Sequence, residues 1–174
     1  VHSVGSDLDE LIERYTGLQA SEHKRKAIGA IYGRSQKKVQ RWLEEAGIGL
    51  KFCPVAHTVY DQGFIEYLCS AARAFESAVR ETLAASRRLL QTPEDQIATT
   101  LVIFPYALAD FEEYLDALDG VQRSLSDAGA EGLLQVASFH PSYQFEGTNP
   151  TDVQNYTNRS PYPIFHLLWE SHVT

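Results

Sequence analysis

Cys53 is followed by Pro54 and has His57 four residues on, which makes it the first candidate nucleophile of this sequence. A thiol attacks as the thiolate, so it needs a lowered pKa and a base within hydrogen-bond reach. His140 is the base expected to approach it from another part of the chain. The plainer reading is packing, because free cysteines are among the residues most often buried. Cys69, inside an apolar run, is read as core. Beyond His140, one stretch carries Tyr143, Asn155, Asn158 and Arg159, which bring a phenol, two amides and a guanidinium. These groups suit a small anionic or carbonyl-bearing ligand, with Arg159 clamping the negative group. The competing readings are that Arg159 pairs with Glu146 or Asp152, and that the Asn-rich loop only staples its own backbone.

Cys53, His57, His140, Glu146, Asp152 and His166 are the side chains a metal would draw on. None shows a tight ligand spacing, so no metal is expected, and no particular cofactor is indicated. Asp110, Glu112, Glu113, Asp116 and Asp119 invite an acid–base reading, but acids early in a helix favour its positive end and the rest fit a solvated face. The sequons at Asn155 and Asn158 carry no meaning without a signal peptide.

The elements that must position these residues fall into two parts. In the first third, Ser6, Ser21 and Ser35 open three short helical patterns, the last with Val39, Trp42, Leu43 and Ala46 on one face and Gly47 as its stop. From residue 64 the pattern alternates. Residues 64–69, 99–104 and 133–139 read as strands, and 71–90 and 110–127 as amphipathic helices, the second opened by the capping pair Asp110 and Glu113. The β-α-β-α-β order implies a small, mainly parallel sheet flanked by helices, an α/β fold, because parallel neighbours need a long connection. The loop after His140 exceeds twenty residues, yet its tyrosines and asparagines argue for order. It leaves the carboxyl end of a strand, where open α/β sheets build ligand crevices. Residues 164–171, with Pro163 at the first position, read as a terminal helix whose N–H groups would share an anion with Arg159.

The strings Val136-Ala137-Ser138-Phe139-His140-Pro141, Tyr143-Gln144-Phe145, Asn155-Tyr156-Thr157-Asn158-Arg159-Ser160-Pro161-Tyr162-Pro163 and His166-Leu167-Leu168 resemble the bacterial domain-of-unknown-function 1415 family. The likeness extends upstream through Ala107-Leu108-Ala109-Asp110-Phe111 and Cys53-Pro54 to Trp42-Leu43, covering about residues 42–170. It implies an address in a family and no reaction, substrate or cofactor. Trp169 stands where the family pattern has an arginine, which leaves Arg159 as the guanidinium of that segment. Residues 1–38 lie outside the pattern and are expected to form a helical extension to an α/β domain over 39–174.

The 174 residues carry a net charge of −8, which would repel a polyanion, but the charge is unevenly placed. Residues 1–51 hold nine Lys and Arg against seven acids, and 52–174 hold six Arg against sixteen acids. A nucleic-acid partner is therefore conceivable only through the basic helices 21–46. There, Gly33 would mark the turn of a helix-turn-helix, with Gln36, Lys37, Gln40 and Arg41 facing a groove and Val39 and Trp42 packing inward. A protein-interaction module through the same helices is the related alternative. With no long apolar run and no leader pattern, the chain is expected in the cytoplasm and off the membrane. It lacks methionine and begins at Val1, so both ends are expected to be fragment boundaries.

Overall fold

The computed structural model describes residues 33–48 and 63–172. Within them, α1 (33–42) continues into a π-helical turn at Leu43–Ile48. Then follow β1 (Ile65–Cys69), α2 (Phe75–Gln91), β2 (Thr99–Ile103), α3 (Phe111–Asp127), β3 (Leu134–Phe139) and β4 (Ile164–Trp169). The fold is α/β, as the alternating pattern implies.

The segment expected to be a terminal helix is instead β4, and it lies inside the sheet. The strand order is β1-β2-β4-β3, with β1 parallel to β2 and β4 antiparallel to both its neighbours. Three strands share one direction, as the two helical crossovers require, while the insertion of β4 makes two of the three pairings antiparallel. The misreading has a physical cause. Ile164, Phe165 and Leu167 are all fully buried. A central strand covered on both faces reads as a continuous apolar run, which periodicity alone does not separate from a buried helix.

Side chains alternate between two cores. Val102, Phe104, Val136, Phe165 and Leu167 face α2 and α3, meeting Ala78, Leu89, Tyr114, Ala117 and Val121. Leu101, Ile103 and Ile164 face the other way, under Val39 and Leu43, with Trp42 and Phe139 packed edge to face at 5.1 Å. Each such large apolar side chain contributes roughly 1.5–3 kcal/mol on burial. Val39 and Trp42 pack on the sheet, and α1 runs unbroken through residues 38 and 39. Arg34, Lys37, Lys38 and Arg41 remain exposed on it. Residues 1–32, which carry the other proposed extension helices, lie outside the described residues.

Helix ends are closed locally. Asp110 caps α3 by accepting from the Glu113 N–H at 3.0 Å. Gly129, at φ 77°, ends it with Gly129 N donating to Ser126 O and Ala130 N to Leu125 O, both at 2.9 Å. This paired closure places a left-handed residue where glycine carries no Cβ penalty.

Candidate functional site

The chain from His140 to Pro163 leaves β3 and returns as β4, so it sits at the edge where β1 and β2 also end. Its irregular backbone is held by its own side chains. Asn155 is fully buried; its Oδ1 accepts from Phe145 N at 2.9 Å and from Thr148 Oγ1 at 3.0 Å, and its Nδ2 donates to Asn149 O at 2.7 Å. Asn158, the last residue of the 3-10 turn Val153–Asn158, bonds the end of β3. Its Nδ2 donates to Ser138 O at 3.0 Å, and its carbonyl accepts from His140 N at 3.1 Å. Both amide nitrogens thus bond backbone carbonyls, while the amide oxygens also take the hydroxyls of Thr148 and Thr157, the latter at 2.8 Å from Asn158 Oδ1.

His140 is fully buried and shares this role. Its Nε2 lies 2.9 Å from Leu108 O, which can only accept, and its Nδ1 accepts from Ser142 N at 3.0 Å. Both ring nitrogens are committed, so in this conformation neither is open to a substrate proton. Burial also pushes its pKa below the usual histidine value. Cys53 and His57 lie outside the described residues. Cys69 is buried, with its thiol against the Ser35 hydroxyl, and burial raises it to about 11, which keeps it a thiol.

Arg159 is held differently from a paired cation. Its Nε donates to Tyr143 O at 3.0 Å, its Nη2 to Pro150 O at 2.7 Å, and its guanidinium lies 4.5 Å from the centre of the Tyr156 ring. No described carboxylate pairs with it, and Asp152 instead accepts from Asn149 N at 2.9 Å. Among the described residues, two of the five guanidinium donors find an acceptor and three do not. Since residues 164–169 form a strand, no helix N-terminus adds N–H donors there. Tyr143 is half-buried, its ring 5.5 Å from Phe111 and 4.9 Å from Phe145, and its hydroxyl accepts a long 3.4 Å contact from Ser138 Oγ.

Several important residues were not singled out in the sequence. Tyr114 reads as one member of an apolar stripe, yet its hydroxyl accepts from Phe139 N at 2.9 Å and donates to Ile164 O at 2.8 Å. Glu81 is buried on α2, where Ser70 Oγ donates to its carboxylate. Burial raises Glu81 to about 7. Its signal was readable, because Ala78, Glu81, Thr82 and Ala85 follow one helical face and a carboxylate there must be accommodated. Among the described residues, no group of three or more His, Cys, Asp or Glu is placed to hold a metal, and no helix is long and apolar enough to cross a membrane.

A family model described as a protein of unknown function (DUF1415) matches residues 34–174. No curated protein and no solved structure matches the chain.

Proposed function

Because the chain belongs to this family, whose description assigns no activity, we propose from its own geometry that the loop between β3 and β4 binds a small anionic ligand on Arg159. The observation that carries the reading is a guanidinium with no carboxylate partner among the described residues, held in place by two carbonyls and an aromatic ring that leave three of its donors without a described acceptor. Carbonyl oxygens orient a guanidinium without cancelling its charge. A fork fixed in this way loses little side-chain entropy on meeting a carboxylate or phosphate, and it can meet either one bidentately. In this reading Arg159 is the direct contact, Tyr143 is the neighbouring phenol, and Asn155, Asn158 and His140 hold the frame. Cys53 is the thiol that an enzymatic form of the site would use, with a base other than His140.

The test is calorimetric titration of the protein with inorganic phosphate and with succinate, repeated on Arg159→Lys. Saturable binding that weakens about tenfold in the lysine variant supports the reading, since lysine keeps the charge and loses the fork. A parent protein that binds neither anion, with Arg159→Ala lowering thermal stability alone, would make the residue a loop staple and nothing more.

A further inference from the structure

Helices α2 and α3 pack together on one face of the sheet, and their carboxyl ends stand at its amino edge, opposite the edge that carries the Arg159 loop. Between those ends the helices leave a cavity of about 420 Å³. Small-molecule sites occupy roughly 300–1,000 Å³, so the space suits a compact ligand. Its apolar lining comes from Leu83 and Leu90 of α2, both half-buried, and from Leu125 of α3 and Ala130 just beyond it, both buried.

The polar lining carries one sign of charge. Among the described residues Arg87 is the one ionisable group that lines the cavity, and no described carboxylate pairs with it. Its neighbour Arg88 is by contrast spent on Glu66 at 3.1 Å. Gln91 stands one turn after Arg87, so a guanidinium and an amide share the exposed rim. The carboxyl end of a helix ordinarily favours a cation, but here the last carbonyls are already bonded. Thr92 N donates to Leu89 O at 3.3 Å, Ala128 N to Ser124 O at 3.1 Å and Ala130 N to Leu125 O at 2.9 Å. The charge left without a counterpart is that of Arg87.

We propose that this cavity binds the monocarboxylate of a hydrocarbon chain, with the head group on Arg87 and Gln91 and the chain between Leu83, Leu90, Leu125 and Ala130. An inorganic anion would leave the leucines with nothing to cover, and a neutral lipid would leave the guanidinium unmatched. The site shares no residue with the Arg159 loop and stands or falls independently of it.

Titration of the intact labelled chain with octanoate, octan-1-ol and acetate, followed in 1H–15N spectra, tests this. Octanoate should shift the amides of Leu90, Leu125 and Ala128 saturably, octan-1-ol should bind there at least ~10-fold more weakly, and acetate should not saturate. Arg87→Gln, at an exposed position, should remove the preference so that acid and alcohol bind alike. Ala128→Phe, on the exposed rim, should fill the space and abolish the binding of both. No saturable shift at those amides, equal affinity for octanoate and octan-1-ol in the parent chain, a preference that survives Arg87→Gln, or octanoate responses confined to Tyr143, Tyr156 and Arg159 would overturn the proposal.

Discussion

The Nε2–H of His140 donates to the carbonyl of Leu108 over 2.9 Å, and Leu108 is, among the described residues, the one non-glycine with a positive φ, at 60°. A left-handed leucine costs on the order of 1 kcal/mol, so its conformation must be imposed by its surroundings. His140 imposes it from β3 while its Nδ1 accepts from the next turn, and its ring packs on Phe111 and Tyr114 at 5.1 and 4.9 Å. One side chain thus joins the 104–110 connection to the 140–163 loop. His140→Ala is expected to destabilise the protein by ~3 kcal/mol in urea denaturation, combining an unpaired carbonyl, an unpaired N–H and a cavity. A loss below ~0.5 kcal/mol would show that the loops are held without it.

Tyr114 performs a similar task within the sheet. Phe139 and Ile164 are register partners, and the phenol oxygen bonds a backbone group of each. Burial drives the phenol's pKa far above its usual value, so it stays protonated and can donate. Tyr114→Phe removes one oxygen and leaves a buried N–H and carbonyl short of a partner, for an expected cost of about 2 kcal/mol. Amide exchange at Phe139 should accelerate in that variant, and unchanged protection there would contradict the role assigned to the hydroxyl.

Two buried groups, Glu81 and His140, and the half-buried His166 set opposing pH dependences. His140 and His166 have folded pKa values below the usual 6.5, so the unfolded chain binds more protons and stability falls as pH drops through 6.5, for His166 down to about 4. Glu81 is raised from 4.5 to about 7, so the folded chain binds more protons and stability falls as pH rises through that window. From these groups, stability should peak near pH ~6.5. Glu81→Gln, which still accepts from Ser70, should raise stability at pH 8 by on the order of 2 kcal/mol and remove the alkaline decline. Melting curves for both proteins from pH 5 to 8.5 decide this, and a variant no more stable than the parent at pH 8 would contradict the buried charge.

Most of the architecture was legible because local signals agreed with the final fold. The Asp110 cap, the stripe from Phe111 to Leu125 and the fully buried run at Thr99–Ile103 all form the elements their spacing implies. Residues 164–169 were not legible as a strand, because a doubly covered strand loses its alternation. Their position between β2 and β3 is a non-local pairing that no local pattern encodes. The loop's order was readable from its aromatics and amides. The direction in which those amides point was not, since Asn155 and Asn158 hydrogen-bond equally well to a ligand or to backbone.

The central claim rests on Arg159. The most direct measurement is a 1H–15N titration of the labelled chain with inorganic phosphate, following the Arg159 Nε–H and the backbone amides. A saturable response centred on Arg159, Tyr143 and Tyr156, lost in Arg159→Gln, is the predicted result. A response that never saturates, or one confined to Arg34, Lys37 and Arg41 on α1, would contradict it.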